Sequence, residues 1–193
     1  MQRMFFSFIV ISSCADLSIL EDDIEFAYQT WCADNVEGAV LSVYDGDTFD
    51  ILIDGEEQRI RMLGVAAPEV ESSDEPAECF GDDAGRFLRD LILEEDVRLE
   101  FDVECTDIYN RTLAWVVITG DDPKVLDWMQ TYEILGAQDD GSYELLVNEM
   151  LVRLGYATVF SGELDQSVRY STRMKDAEEA AEAALLGLWK ECE

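Results

Sequence analysis

The 193-residue sequence contains no histidine, and it has only 13 lysine and arginine residues against 44 aspartate and glutamate residues. The missing imidazole excludes Ser-His-Asp and Cys-His catalysis and every metal site that needs a histidine ligand. The formal net charge of −31 argues against a non-specific polyanion binder, which needs dense positive charge. A catalytic site in this chain would therefore use carboxylates, arginines, hydroxyl groups or oxygen-ligated metals. The net charge does not exclude a nucleic-acid enzyme with a small local basic site.

The apolar run near the start of the chain is too short to cross a membrane as a helix. Residues 4–11 (MFFSFIVI) are apolar except for Ser7, but a transmembrane helix needs about 20 such residues. The run follows Arg3 and precedes Ser12-Ser13-Cys14, an order that resembles a bacterial lipoprotein signal. The resemblance implies cleavage before Cys14, a lipid on that cysteine, and an exported protein anchored to a membrane in the periplasm or at the cell surface. An ordinary secretory signal or a buried strand is the alternative.

The remaining cysteines are Cys32, Cys79, Cys105 and Cys192. In an exported chain they predict two disulfides, with three possible connectivities. We favour Cys79–Cys105 and Cys32–Cys192, because the second bond would join the two ends of the domain. A zinc site is disfavoured, since no two of these cysteines have CxxC spacing and no histidine could complete the site.

Composition supports one folded domain, since 48% of the residues are apolar and domains commonly have about 100–200 residues. We expect a signal peptide at residues 1–13, an acidic tether at residues 14–35 and the folded domain at residues 36–193.

Hydrophobic periodicity predicts five strands and three helices in that domain. The predicted strands cover about residues 38–44, 49–53, 59–65, 97–103 and 112–118, and the predicted helices cover residues 81–93, 145–154 and 167–188. Asp54-Gly55 is a tight hairpin signal. Residues 119–143 are not assigned, apart from a helical turn near 125–129. This order fits an α+β fold built on a small closed barrel of the OB type.

Four segments carry a more specific signal: Tyr44–Thr48 (YDGDT), Arg61–Glu69 (RMLGVAAPE), Asp107–Ala114 (DIYNRTLA) and Leu146–Val152 (LVNEMLV). In this order they resemble the staphylococcal nuclease (thermonuclease) family. The resemblance implies a five-stranded OB-fold barrel with three helices and a calcium-dependent site that cleaves phosphodiester bonds in DNA or RNA. We also expect a monomer.

The resemblance assigns roles to particular residues. Glu69 matches the general base, and Arg61 and Arg111 match two arginines that hold the phosphate. Asp47 matches a calcium carboxylate, and the backbone carbonyl of Ala67 matches another ligand. This chemistry suits a chain without histidine, because guanidinium groups grip phosphate oxygens in pairs and stabilise developing negative charge.

Three more positions match the neighbourhood of the metal and substrate. Asp45 and Thr48 match positions near the calcium ion and its waters, and Tyr109 matches an aromatic side chain beside the substrate. In a sequence with so many acids, each of these residues, and each site arginine, could instead belong to an ordinary surface ion pair or turn.

The sequence also departs from the family pattern. Ala66 stands where the family has a second calcium carboxylate, and a methyl group cannot bind a hard cation, so calcium binding should be weak. Ile108 replaces a basic residue, and Ser161 and Glu163 replace tyrosines that face the substrate. Asn110 replaces a glycine, which is tolerable because asparagine accepts a positive φ better than most residues.

Two functions follow from these observations. The first is a thermonuclease-like phosphodiesterase with nucleic acid as its substrate. The second is a catalytically impaired nuclease-fold module used for binding or at a surface, which the loss at Ala66 favours. A glycoside hydrolase with paired carboxylates is a remote third candidate, since abundant acids alone are no support for it.

Overall fold

Eight strands and five helices make up the described part of the chain. The computed structural model describes residues 35–73, 76–160, 162 and 169–192, so the predicted signal peptide, Cys14 and Cys32 lie outside it, as do Ser161 and Glu163. The strands are β1 (Val36–Val43), β2 (Thr48–Ile53), β3 (Glu56–Met62), β4 (Val65–Ala66), β5 (Asp96–Glu100), β6 (Thr112–Gly120), β7 (Tyr143–Leu146) and β8 (Thr158–Val159). The helices are α1 (Gly81–Ile92), α2 (Pro123–Thr131), α3 (Val147–Arg153), α4 (Ser171–Ala183) and α5 (Leu188–Glu191).

Five of these strands close into a barrel. The main sheet has the order β3-β2-β1-β5-β6-β7, and a parallel pairing of β3 with β6 closes the first five strands into a ring. The β2–β3 hairpin turns at Asp54 and Gly55, whose φ angles of 52° and 86° give the left-handed geometry that a tight hairpin requires. The predicted five-stranded α+β barrel is confirmed.

The core fills the inside of this barrel. Phe49, Ile51, Ile60 and Leu99 are fully buried. The end of β3 alternates buried and more exposed residues, as a half-buried strand does, whereas β2 is buried at every position except Leu52. Strand β6 is buried over Leu113–Ile118 because it is covered on both faces. Helix α1 adds its apolar stripe to the same core.

Buried Asn148 ties α3 to the part of the barrel that carries the predicted site. Its side-chain oxygen accepts a hydrogen bond from the backbone N–H of Val116 at 2.8 Å, and its amide nitrogen donates to the carbonyl of Leu63 at 2.9 Å. A buried amide with its partners satisfied fixes the orientation of both segments. The hydrogen bond from Asn148 to Leu63 therefore fixes the turn that follows β3.

Two predicted helices have different bounds in the structure. Leu145 and Leu146 belong to β7, so α3 begins only at Val147. The predicted helix over 167–188 ends at Ala183 as α4, and the short helix α5 follows it. The break comes from a close backbone crossing: Gly187 has a φ of 52°, and a Cβ there would lie 2.2 Å from the carbonyl oxygen of Gly155. With α2, which lies in the unassigned stretch 119–143, the described residues contain five helices instead of three. None of these helices is long and apolar enough to cross a membrane.

The predicted disulfide pairings are wrong. The structure joins Cys79 to Cys192, with Cα atoms 5.8 Å apart, which excludes both Cys79–Cys105 and Cys32–Cys192 because each sulfur has one partner. Cys79 precedes α1 directly, and the C-terminal helix α5 lies against that end: the Cys79 sulfur is 3.6 Å from the Glu191 carbonyl oxygen. Cys105 is itself disulfide-bonded.

A buried carboxylate links the barrel to the start of α4. Glu100 at the end of β5 accepts hydrogen bonds from Arg98 at 3.0 Å, Arg169 at 2.9 Å and the Tyr170 hydroxyl at 2.9 Å. Burial alone would raise the pKa of the Glu100 carboxyl, but these hydrogen bonds and the charge of Arg98 outweigh it and lower that pKa below its usual value of 4.5. The ionised form therefore stabilises the fold.

We expect Glu100→Gln to reduce the free energy of unfolding at pH 7 by about 1–3 kcal/mol, the usual worth of hydrogen bonds to a charged group. Because the folded pKa is lowered, this contribution is present above the ordinary glutamate pKa and is lost as the pH falls through the folded value. Urea unfolding at pH 7 and at decreasing pH measures the difference. The control is Glu144→Gln, which removes the more exposed partner of Arg98. An equal loss for Glu100→Gln at neutral and acid pH would contradict the assignment.

Candidate active site

Asp47 is the centre of the predicted site. It lies in the turn between β1 and β2 and is 6% exposed. Its Oδ1 contacts Nη1 of Arg61 and accepts a hydrogen bond from the Thr48 hydroxyl at 3.0 Å, while its Oδ2 accepts from the backbone N–H of Ala67 at 2.9 Å. The structure thus brings four of the predicted site residues into direct contact.

The glycine of the turn makes this approach possible. A Cβ on Gly46 would lie 2.6 Å from the Ala67 Cβ and 2.9 Å from the Ala84 Cβ in α1. No side chain fits there without a backbone shift, so the turn, the segment after β4 and α1 meet at Gly46. The Asp-Gly-Asp sequence supplies the turn itself, because the Asp47 N–H donates to Oδ1 of Asp45 at 2.8 Å.

Arg61 projects from the end of β3 into this arrangement. Register places it opposite Thr48 on β2, and its side chain is 11% exposed. Its Nη2 donates to the carbonyl oxygen of Val65 at 2.8 Å, while Nη1 faces Asp47. A guanidinium held by a carboxylate and a carbonyl has little rotamer freedom left, so its charge is fixed in place.

Arg111 is fixed by its own loop. Asp107 accepts hydrogen bonds from the backbone N–H groups of Tyr109 and Arg111, both at 2.9 Å, and from Nε of Arg111 at 2.7 Å. Asn110 has a φ of 63°, a left-handed geometry that asparagine accepts better than most residues. Within the described residues the two terminal nitrogens of Arg111 form no hydrogen bond, so they can receive an anion.

Asp45 is influenced by the charges of both arginines. Burial raises the pKa of the Asp45 carboxyl, while hydrogen bonds from Thr48 and the positive charges of Arg61 and Arg111 oppose that rise. Both guanidinium groups therefore lie close enough to act on the same carboxylate. The two arginines thus lie in one region of the protein, where Asp47 pairs with Arg61 and Asp107 pairs with Arg111.

Glu69 lies two residues after Ala67 and has a different environment. Its side chain is exposed and forms no ion pair with an arginine among the residues that the structure describes. Its backbone is held on both sides, because its N–H donates to Oε2 of Glu78 at 3.1 Å and its carbonyl accepts from the Glu78 N–H at 2.9 Å. A Cβ on Gly81 would lie 2.1 Å from the Glu69 carbonyl oxygen, so the segment packs tightly against the start of α1.

The residues present do not fit a calcium site. Calcium takes about six to eight oxygen ligands, whereas both carboxylate oxygens of Asp47 are engaged by Arg61, Thr48 and Ala67. Asp45 accepts backbone and hydroxyl hydrogen bonds, and Ala66 offers no side-chain oxygen. No group of three or more acids and cysteines in the described ranges is arranged to hold a metal ion.

Sequence reasoning missed a third arginine, Arg59, on the same face of β3 as Arg61. Arg59 lies opposite Asp50 in the β2–β3 register and donates to it through Nε at 2.9 Å. Its Nη2 donates to the Tyr44 hydroxyl at 2.6 Å, and its guanidinium stacks 4.2 Å from the centre of that ring. The available signal was the i, i+2 spacing of Arg59 and Arg61, which places both on one face of a strand.

Comparison with known proteins identifies related sequences. A family model described as staphylococcal nuclease homologue matches residues 59–191, which include both site arginines and Glu69. The thermonuclease of Staphylococcus hyicus is 40% identical over 77 residues, and that of Staphylococcus intermedius is 42% identical over 77 residues. Each alignment covers 40% of this chain and 46% of the thermonuclease, so the chain matches about half the length of these relatives.

A longer but weaker similarity extends to a second genus. Endonuclease YncB of Bacillus subtilis is 25% identical over 146 residues, which cover 75% of this chain and 57% of that protein. The relatives support nuclease function at the level of the family. With the barrel and the arginine-bearing motifs in place, the chain belongs to the staphylococcal nuclease family.

Proposed function

We propose that this protein hydrolyses phosphodiester bonds in DNA or RNA, with Arg61 and Arg111 holding the phosphate and Glu69 acting as the general base. One observation carries the proposal: two immobilised guanidinium groups act on a single carboxylate, Asp45, in a strongly acidic chain. An anionic substrate group is the natural partner for such a pair, because guanidinium binds phosphate through paired, charge-assisted hydrogen bonds.

The chemistry needs a base, a fixed phosphate and charge stabilisation. Glu69 accepts a proton from a water molecule, whose oxygen then forms a bond to phosphorus. The bond from phosphorus to the leaving sugar oxygen breaks, and that oxygen takes a proton from solvent. Arg111 and Arg61 stabilise the extra negative charge on the phosphate oxygens during this step. Among the described residues Glu69 forms no ion pair, so its carboxylate is available to accept that proton.

Cleavage by the purified protein tests the proposal. Single-stranded DNA and RNA oligonucleotides are incubated with enzyme in excess, in EDTA, in calcium and in other divalent cations. We expect shorter fragments to accumulate in at least one condition. Binding without cleavage in every condition would support the alternative, a nuclease-fold binding module, which Ala66 favours.

Ala66 provides a separate prediction about the metal. We expect Ala66→Asp to bind calcium at least about tenfold more tightly than the natural protein, because the change adds carboxylate oxygens one residue from the amide that Asp47 contacts. Calorimetric titration with calcium measures the affinity, and Ala66→Asn is the uncharged control. Equal calcium affinity in the aspartate variant and the natural protein would show that position 66 lies outside the reach of a metal at Asp47.

We further propose that the protein is exported and lipid-anchored at Cys14. The pattern of the first 14 residues supports this, and so does the bond between Cys79 and Cys192, since structural disulfides persist mainly in oxidising compartments. Mass spectrometry of the N-terminal peptide from the native host should find an acylated Cys14. An unmodified Cys14 in the mature protein would reject the anchor.

A further inference from the structure

A separate cleft adjoins the proposed phosphate site on the outside of the barrel. Its volume is about 460 Å³, and Arg111 belongs both to its wall and to the site already described. The cleft is lined by Asp50, Glu57, Arg59, Tyr109, Asn110 and Arg111. A cleft that shares an arginine with a phosphate site can hold the next group along the same substrate.

Strand register places the arginines of this region in a row. The parallel β3–β6 ladder begins with Ile60 opposite Thr112, so Arg59 and Arg111 are the neighbouring residues just before that pair. Arg59 and Arg61 lie two positions apart on β3, and therefore on one face, about 7 Å apart along the strand. This separation is comparable to that between successive phosphate groups in an extended single strand of nucleic acid.

Arg59 is held rigidly while much of it stays in solvent. Its side chain is 50% exposed, whereas its partner Asp50 is 4% exposed. Asp50 also accepts hydrogen bonds from the Tyr44 and Ser42 hydroxyls, which together with Arg59 offset the effect of burial and lower the pKa of the Asp50 carboxyl. The carboxylate thus stays ionised and anchors Nε, while Nη1 has no hydrogen-bond partner in the part of the chain described.

The opposite wall of the cleft suits a nucleotide. Tyr109 is 75% exposed and its ring lies 5.6 Å from the Arg111 guanidinium, so one face of the ring is open for a base to stack on. Ile108 beside it is 91% exposed and carries no charge. Among the residues that line the cleft, the positive charge besides that of Arg111 is on Arg59, which belongs to β3.

We propose that this cleft binds the phosphate adjacent to the one being cleaved, with Arg59 as the residue that determines preference for a substrate carrying that phosphate. The inference rests on the proposed function, because it places the cleft along the same nucleic-acid strand. It makes Arg59 a specificity residue of this chain, distinct from the pair at the reacting phosphate.

The test compares ligands that differ by one phosphate. The probes are a thymidine dinucleoside monophosphate and its forms with an added terminal 5′- or 3′-phosphate, and affinities are measured by calorimetry with the full chain. We expect the natural protein to bind one phosphorylated form about tenfold more tightly than the unphosphorylated probe, the gain of one charge-assisted contact. In Arg59→Gln this ratio should fall to about one. The proposal is overturned if the natural protein shows no preference, or if Arg59→Gln keeps it.

Two further variants serve as controls for charge loss and for unfolding. Arg86→Gln removes an arginine of similar exposure from the Asp83 ion pair on α1, and it should keep the full preference. Because Arg59→Gln leaves buried Asp50 without its cation, the double variant Asp50→Asn/Arg59→Gln carries the test if the single variant unfolds. Hydrolysis of the same probes is followed in parallel. Preference for the phosphorylated probe without any hydrolysis would reject the proposed function but retain the cleft.

Discussion

Replacing Arg111 with alanine is expected to lower kcat/KM for hydrolysis of single-stranded DNA by about a thousandfold, the usual cost of removing an arginine that stabilises a transferring phosphoryl group. Asp107 fixes Arg111 through Nε and leaves its terminal nitrogens for the phosphate. The alanine variant removes both the charge and the paired hydrogen bonds. Single-turnover kinetics with enzyme in excess measures the loss without interference from product release.

Two controls sharpen this prediction. Arg111→Lys keeps the charge but cannot form the paired contact, so its rate should lie between those of the natural protein and the alanine variant. Arg86→Ala removes an exposed arginine that pairs with Asp83 on α1, and it should leave the rate unchanged. If Arg111→Ala and Arg86→Ala lose activity equally, Arg111 does not bind the reacting phosphate.

Replacing Glu69 with glutamine is expected to lower kcat by about 10²- to 10⁴-fold, the range for loss of a general base. The substitution preserves shape and removes only the group that accepts the proton. Because the side chain is exposed and pairs with no arginine in the described residues, folding should be unaffected. The Michaelis constant should change little, since the carboxylate acts in the transition state.

Glu71→Gln is the matched control for this change, because it removes an exposed glutamate from the same segment. Its kcat should equal that of the natural protein. Undiminished hydrolysis in Glu69→Gln would mean that another group activates the water, or that a contaminating nuclease produces the signal.

Much of the barrel could be predicted because its strands and turns depend on patterns of residues that are close in the sequence. Alternating apolar residues gave the strands, and the Asp54-Gly55 hairpin and the positive φ at Asn110 follow from the conformational freedom of those residue types. The helix break after Ala183 could not be predicted in this way. It depends on the crossing of Gly155 and Gly187, which lie 32 positions apart in the chain.

The disulfide pairing was predicted wrongly because it, too, depends on contacts between distant parts of the chain. Four cysteines allow several pairings, and only the approach of α5 to the start of α1 selects Cys79–Cys192. The resemblance also could not show that Asp47 is fully engaged by Arg61, Thr48 and Ala67, because those contacts join three segments of the chain. The loss of a carboxylate at Ala66, in contrast, is readable directly from the sequence, and the weak calcium binding that it implies stays a prediction.

The site arginines were predictable from motifs, whereas Arg59 was not. Its importance depends on the β2–β3 and β3–β6 registers, which bring it against Asp50 and beside Arg111. Periodicity identifies strands but does not reveal which residues stand opposite each other in neighbouring strands. Tertiary pairing therefore added a candidate subsite that the sequence pattern left as an ordinary charged strand residue.

Isotope labelling of the product tests the central claim most directly. The dinucleotide is cleaved by excess protein in water enriched in ¹⁸O, and the product phosphate is analysed by mass spectrometry. We predict cleavage with one ¹⁸O atom in the phosphate, because water activated by Glu69 attacks phosphorus. No cleavage, or a phosphate without ¹⁸O, would contradict phosphodiester hydrolysis at this site.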